Sequence, residues 1–202
     1  MRLLKVILPR GKGSKFMDTL KSSGAHAITC YYGYGSANNA LANALHTDKI
    51  KKEIVMAILE EGNANICLDN LNDKLKKSNT GIAFTLPLNT GGEEFMDKPF
   101  EYAALYVIVD RQKGHRAVQI AQDNGARGAT LIHGRGSAEK VKSILMNMNI
   151  EAEKDIVIML VKRDLIEPIR QAIYEEMNLE EENKGIIYSL PVMDVRGLVD
   201  QA

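Results

Sequence analysis

The stretch Gly33-Tyr34-Gly35-Ser36-Ala37 decides the fold, because it occurs again 101 positions later as Gly134-Arg135-Gly136-Ser137-Ala138. The same offset relates Lys12-Gly13 to Lys113-Gly114. Further along the chain, residues 81–87 return as residues 185–191, with an offset that is larger by three residues. Matching blocks separated by small changes of spacing indicate one fold repeated with loop insertions. The sequence therefore predicts two copies of one domain.

The second copy shows the order of elements most clearly. Short apolar runs rich in β-branched residues predict four strands, at residues 105–109, 129–132, 156–161 and 186–190. Helical periodicity predicts helices over residues 113–124 and 164–177. The Gly-Arg-Gly stretch at 134–136 interrupts the pattern, so we expect the second strand of the copy to end there.

The resulting order is strand, helix, strand, strand, helix, strand, which is the ferredoxin-like arrangement. The first copy repeats this order from Leu3 to Leu88. We therefore expect an α+β protein of two tandem ferredoxin-like domains, at residues 1–89 and 103–202. Residues 90–102 form a linker by composition.

Composition narrows the classes of function. The 202 residues carry no formal net charge, which gives no support for nucleic-acid binding. No apolar run approaches the roughly 18 residues of a membrane span, and the polar N-terminus does not resemble a signal peptide. We therefore expect a cytoplasmic protein with no membrane span.

Charge is distributed unequally between the two halves. Residues 1–88 carry 12 basic and 7 acidic residues, whereas residues 89–202 carry 14 and 19. Opposite signs would help a first copy to pack against a second copy, within or between chains. Chance variation among solvated faces is the alternative reading.

Neither the cysteines nor the histidines indicate a reactive centre. Cys30 and Cys67 both lie among apolar residues of the first copy, which predicts packing in the core. The four histidines share no repeat position and have no partner at metal-ligand spacing. No Ser-His-Asp or Cys-His arrangement has support from spacing, so we expect no enzyme, no metal and no cofactor.

Several segments resemble the PII-like nitrogen-regulatory proteins. Residues 125–136 resemble the end of the first helix, the second strand and the start of the T-loop of that family. Residues 154–157 and 184–192 resemble its third and fourth strands, and residues 195–198 resemble its closing strand. The first copy shows the same pattern more faintly, at residues 33–37, 52–55 and 81–87.

The resemblance implies a non-catalytic signalling protein. Family members form trimers and bind adenine nucleotides, in some cases with 2-oxoglutarate, in clefts between subunits. Their T-loop docks on partner proteins of nitrogen metabolism. For this chain the resemblance therefore implies a homo-oligomer, a trimer in the first instance. It also implies a small anionic ligand at interdomain clefts, with ATP or ADP among the candidates, and control of an unknown target protein.

The resemblance also assigns residues. It places the T-loop base at the repeated Gly-x-Gly, the phosphate-contacting lysine before the third strand, and a glycine before the fourth. With the serine that follows each Gly-x-Gly, the predicted ligand-binding residues are Gly33, Gly35, Ser36, Lys52, Gly81, Gly134, Arg135, Gly136, Ser137, Lys154, Lys184 and Gly185.

The residues alone leave two readings of the Gly-x-Gly-Ser stretches open. At the end of a strand and the start of a helix, exposed backbone amides and the helix dipole would favour an anion. Alternatively, the glycines turn the chain and the serine caps the helix. The stretch 10–15 predicts a strand-to-helix turn, because it lacks the spacing of a phosphate-binding loop.

The chain departs from typical family members at the same loops. Ser36-Ala37 and Ser137-Ala138 stand where the family continues with Arg-Gln, and the glycine-rich nucleotide loop is reduced before Gly81 and Gly185. These departures favour an alternative from another class, a ligand-free assembly module that acts through protein contacts.

Overall fold

Each half of the chain folds in the predicted order. The computed structural model describes residues 1–37, 50–75, 80–88, 100–142, 149–182 and 184–198. The first half contains β1 (Arg2–Pro9), α1 (Gly13–Ser22), β2 (His26–Ala37), β3 (Ile50–Leu59), α2 (Glu61–Leu75) and β4 (Ile82–Pro87). The second contains β5 (Tyr102–Asp110), α3 (Gly114–Asp123), β6 (Gly128–Lys142), β7 (Asn149–Lys162), a 3-10 turn (Arg163–Leu165), α4 (Ile166–Glu176), β8 (Gly185–Val192) and β9 (Asp194–Arg196). The predicted α+β class, with two tandem ferredoxin-like domains, is confirmed.

The chain divides into two units whose limits depart from the linear repeat. The first unit draws on Met1–Gly33, Ile50–Tyr102 and Leu190–Ala202, and the second on Tyr34–Lys49 and Ala103–Ser189. The predicted domain limits at residues 1–89 and 103–202 stay a prediction. The C-terminal strand β9 thus belongs to the first unit, where Arg196 to Asp194 pair antiparallel with Ala83 to Thr85 of β4.

In the first unit the strands follow the order β2-β3-β1-β4-β9. Strand β1 is central and pairs antiparallel with both neighbours, so that Val6 lies opposite Val55 on β3 and Ala83 on β4. Alternate residues of these strands form a core with the apolar faces of α1 and α2, which contribute Leu20 and Leu68. Burial of each such leucine contributes about 2 kcal/mol, which fixes the helices on one face of the sheet.

In the second unit the order is β8-β5-β7-β6, the ferredoxin-like order of the repeat. Its core joins alternate residues of the strands, such as Val107 and Val157, to Ile120 of α3 and Ile169 of α4. The period of two along the strands and of about 3.6 along the helices explains why the sequence predicted these elements.

One prediction about the second unit is wrong. Strand β6 does not end at residues 134–136, because Gly134 and Gly136 pair with Lys154 and Ala152 of β7. The pairing continues to Lys142 opposite Asn149, with an irregularity in register between Gly136 and Lys140. Glycine weakens a strand but does not end it where a partner strand supplies the hydrogen bonds.

Two further observations bear on the sequence predictions. Both cysteines are free thiols, with Cys67 buried and Cys30 half-buried, so the predicted core packing holds fully for Cys67. Within the described ranges, no helix is long and apolar enough to cross a membrane.

Candidate functional site

The repeat places the same group of side chains where the first strand of each copy turns into its first helix. We refer to the two places as the first corner and the second corner. The first corner consists of Pro9, Arg10, Lys12, Gly13, Lys51, Lys52 and Glu53. The second corner consists of the equivalent residues Asp110, Arg111, Lys113, Gly114, Glu153, Lys154 and Asp155.

At the second corner the start of α3 is held by a buried carboxylate. Asp155 of β7 is 1% exposed. Its Oδ2 accepts hydrogen bonds from the backbone N–H of Gly114, at 3.1 Å, and of Gln112, at 2.9 Å. The first amides of a helix lack partners within the helix, and the helix dipole favours negative charge there. The carboxylate therefore satisfies the helix start from within the protein.

The first corner repeats this arrangement. The backbone N–H of Gly13 donates to Oε2 of Glu53 over 2.6 Å. An arginine accompanies each carboxylate, with Arg10 Nε 3.6 Å from Glu53 Oε1 and Arg111 Nε 3.7 Å from Asp155 Oδ1. In both units, therefore, a backbone amide at the helix start binds a carboxylate of the same chain.

The glycine at each corner has a steric reason. A Cβ on Gly114 would lie 2.6 Å from Leu131 Cδ1 and 2.8 Å from Asp155 Cβ. A Cβ on Gly13 would lie 2.8 Å from Glu53 Oε2 and 3.0 Å from Cys30 Sγ. Real Cβ atoms essentially never come closer than 3.0 Å to another atom, and a Cβ on either glycine would do so. Glycine therefore allows the carboxylate to approach the helix start. The predicted strand-to-helix turn is confirmed in both units.

The turn before each helix uses a left-handed backbone. Gly11 has φ +85°, and the equivalent Gln112 keeps this conformation with φ +76°. A residue other than glycine is strained there by roughly 1 kcal/mol. The hydrogen bond from Gln112 N–H to Asp155 offsets part of that cost.

The outer part of the second corner neutralises its own charge. Lys154, with 13% of its side chain exposed, donates to Asp110 Oδ1 over 2.7 Å. Lys113 donates to Asp110 Oδ2 over 2.9 Å. The hydrogen bond from Lys154 and then that from Lys113 hold the pKa of Asp110 below its ordinary value. Arg111 lies 3.4 Å from Glu153, so every cation of this corner has a carboxylate partner.

The outer part of the first corner lacks these acceptors. Pro9 stands where Asp110 stands in the second corner, and it pairs with Lys52 across β1 and β3. Lys51 replaces Glu153, and its backbone oxygen accepts the N–H of Arg10 at 3.3 Å. The side chain of Lys52 has no hydrogen-bonding or ionic partner among the residues that the structure describes. Its side chain is half-buried, and burial lowers the pKa of Lys52.

An aromatic side chain borders each corner. The guanidinium carbon of Arg10 lies 3.7 Å from the centre of the Tyr32 ring, a cation–π contact. The equivalent residue in the second unit is His133, whose Nδ1 lies 2.8 Å from Asp155 Oδ1. His133 is therefore a further partner of Asp155, whereas the equivalent Tyr32 contacts Arg10.

The repeated Gly-x-Gly stretches lie inside strands and not at the start of a helix. Gly33 is buried in β2. Gly35 and Ser36 belong to the second unit, where their backbones pair with Thr130 and Ala129 of β6. The helix-dipole argument therefore does not apply to these residues, and their contact with a ligand stays a prediction.

In the second unit, some of the predicted ligand-binding residues are neighbours in the ladder between two paired strands. Gly134 lies opposite Lys154 in the ladder between β6 and β7, and Arg135 lies opposite Glu153. Gly136 and Ser137 also lie on β6, but their side-chain surroundings fall outside the described part of the structure.

The remaining predicted residues precede the last strand of each repeat. A Cβ on Gly81 would lie 2.6 Å from the carbonyl oxygen of Ile7, and one on Gly185 would lie 2.7 Å from that of Ile108. Close strand packing therefore explains both glycines. Lys184 pairs with Glu181 over 3.0 Å. A ligand role for these three residues stays a prediction.

Sequence reasoning did not identify the carboxylate that binds each helix start, or the arginine beside it. Glu53 and Asp155 each stand directly before the apolar run of their strand at an equivalent position, and Arg10 and Arg111 are also equivalent. Aligning the two copies would have revealed both pairs. The exchange of Pro9 for Asp110 would have shown in the same alignment.

The similarity between this chain and known proteins is distant. No family model and no curated protein matches the chain. Among solved structures, a CPII protein from Thiomonas intermedia K12, whose structure is described as bound to ADP, AMP and acetate, is 16% identical, with a TM-score of 0.35. The match covers 45% of this chain and 85% of that one. An anthrone oxidase-like protein is 11% identical with a TM-score of 0.29, over 100% of this chain and 94% of the other.

Within the part of the chain that the structure describes, no group of His, Cys, Asp and Glu could hold a metal ion. The geometry at the corners is that of charge pairing and hydrogen bonding to backbone amides.

Proposed function

We propose that the chain is a non-catalytic PII-like regulator that binds a small anionic ligand and controls a partner protein. The observation that carries this proposal is the first corner. The first corner has four cations and the single carboxylate Glu53, whereas the second corner has three cations and three carboxylates. An excess of cations over carboxylates at one turn attracts phosphate and carboxylate groups.

The position of the corner links ligand to partner. Lys51 and Lys52 stand at the start of β3, where the chain returns from the segment between Gly33 and Lys52. The resemblance to PII-like proteins assigns that segment to partner docking. We therefore propose that a ligand bound by Lys52 regulates the binding of the partner to this segment.

The finer parts of the proposal come from the resemblance. They are an adenine nucleotide as the ligand, a target in nitrogen metabolism, a trimer as the oligomeric state, and the cytoplasm as the compartment. Multi-angle light scattering tests the trimer directly, and a monomeric mass would contradict it.

A thermal-shift titration tests the proposal as a whole. We would titrate the chain with ATP, ADP, AMP, cyclic dinucleotides, 2-oxoglutarate and S-adenosylmethionine. A ligand at 100 times its dissociation constant adds about 2.7 kcal/mol to the free energy of unfolding. For a chain of this size, this raises the melting temperature by roughly 5–10 °C. No saturable shift with any of these compounds would contradict ligand sensing.

One observation favours the alternative, an assembly module without a ligand. On β8, Ile186 and Tyr188 are 61% and 39% exposed, whereas Phe84, the counterpart of Tyr188, is fully buried. Exposed apolar side chains on a strand are typical of a surface that binds another protein. Under this alternative the thermal-shift panel is silent, and Ile186→Asp changes the oligomeric mass in light scattering.

A further inference from the structure

The two corners differ in charge although their backbones have the same hydrogen-bonded geometry. Arg10 N–H bonds the carbonyl of Lys51 at 3.3 Å, just as Arg111 N–H bonds that of Glu153 at 3.1 Å. At this shared geometry the second unit has a carboxylate where the first has Lys51. The difference therefore comes from the side chains and not from a change of fold.

A second exchange acts in the same direction. In the second unit Asp110 receives hydrogen bonds from both Lys154 and Lys113. The equivalents of these lysines are Lys52, which lies opposite Pro9 in the ladder, and Lys12. Pro9 has neither a side-chain acceptor nor a charge. Among the described residues, the side chain of neither Lys52 nor Lys12 has a hydrogen-bonding or ionic partner.

A half-buried lysine without an acceptor is costly to keep. The side chain of Lys52 loses hydration without gaining the hydrogen bond that Lys154 makes. An anionic oxygen supplied by a ligand would restore that bond and would also attract Lys12. The second corner shows the geometry of such binding, because there one carboxylate is held by two lysines at 2.7 and 2.9 Å.

We propose that only the first corner binds the external anion, and that Asp110 and Glu153 occupy the equivalent place in the second corner. This inference rests on the proposed function, since it names the unit and the side chains that perform the binding. The ligand group is an anionic oxygen group, phosphate or carboxylate, held by Lys52 and Lys12 with Arg10 and Lys51 beside it. In the second corner the carboxylate of Asp110 takes the place of the anionic group of the ligand.

Isothermal titration calorimetry of the full chain tests the inference, because it measures both affinity and stoichiometry. We would use ADP as a phosphate probe and 2-oxoglutarate as a carboxylate probe, at low salt. The probe that binds identifies the source of the anionic group. We expect one anion per wild-type chain.

Two matched single variants locate the site. Lys52→Ala removes a charged hydrogen-bond donor and should weaken binding about tenfold or more. Lys154→Ala removes the equivalent lysine of the second unit and should leave the dissociation constant within about twofold, since that lysine is already paired with Asp110. A circular dichroism melt of each variant shows that it is folded.

Exchanging the charges of the two corners is the sharper test. Pro9→Asp with Lys51→Glu gives the first corner the carboxylates of the second and should abolish binding. Asp110→Ala with Glu153→Lys gives the second corner the charges of the first, and should raise the stoichiometry from one to two.

The outcomes separate the inference from the function on which it rests. Two anions per wild-type chain, equal losses in Lys52→Ala and Lys154→Ala, or an unchanged stoichiometry after the exchange in the second corner would each overturn the inference. In those cases the proposed function stands. Absence of saturable heat with either probe and the wild-type chain would instead overturn binding itself.

Discussion

Lys5 is a buried lysine in β1, with 8% of the residue exposed. It lies opposite Met56 on β3 and Phe84 on β4. Burial lowers the pKa of Lys5 from 10.5 to about 8, because the ammonium group loses hydration in the folded chain. The equivalent position of the second unit is Tyr106, which is also buried, so a large apolar side chain suits this position. We therefore expect Lys5→Met to stabilise the protein at neutral pH.

The size of the expected stabilisation follows from the lowered pKa of Lys5. Between pH 8 and pH 10.5 the unfolded chain holds a proton that the folded chain has lost, so the free energy of unfolding of the wild type rises with pH. Through this pKa shift Lys5 lowers the free energy of unfolding by about 3 kcal/mol at pH 7 and by about 1 kcal/mol at pH 10. Methionine has no such cost, so the advantage of the variant should shrink over the same window.

Urea denaturation at pH 7, 8, 9 and 10 measures this difference. Groups that titrate in both proteins cancel when the variant is compared with the wild type at each pH. Lys15→Met is a matched control, because Lys15 is exposed on α1 and should change stability by no more than about 0.5 kcal/mol at any pH. A Lys5→Met advantage that stays constant from pH 7 to pH 10, or a destabilised variant at pH 7, would refute the reasoning.

The two corners support two further predictions. Gly114→Ala should lower the free energy of unfolding by about 2 kcal/mol or more, because the new Cβ meets the Cβ of Asp155. Gly13→Ala should cost less, since its nearest contact is the flexible end of Glu53; urea denaturation of both measures the order, and equal costs would contradict it. Gln112→Gly should relieve the left-handed backbone and stabilise by about 0.5–1 kcal/mol, seen as a melting temperature raised by a few degrees. A lowered melting temperature would show that the glutamine side chain contributes more than its backbone strain costs.

Much of the fold could be predicted because its signals are local. The apolar alternation of residues 105–109 and the helical period of residues 113–124 each depend on side chains a few positions apart. The limits of β6 could not be predicted in this way. Glycines at 134 and 136 predict a break, and only the ladder with β7 decides that the strand continues.

The candidate site was predicted less well, because its contacts are distant in sequence. The resemblance pointed to Lys52 and Lys154, and both lie at the corners. It did not reveal that Lys154 is bound by Asp110, 44 positions away, while Lys52 faces Pro9. Whether a lysine can bind an external anion depends on whether a carboxylate of the protein already pairs with it. That carboxylate lies on another strand.

The sequence by itself determined the repeat, the βαββαβ order and the glycines of the turns, since each of these is written in residue type and spacing. The tertiary structure alone decided which charges meet. The carboxylates of Glu53 and Asp155 reach the start of a helix some 40 residues earlier in the chain. Likewise, β9 pairs with β4 of the first unit and not with the strand that precedes it. Pairing and burial depend on the register between strands, which is set by packing over the whole sheet and not by neighbouring residues.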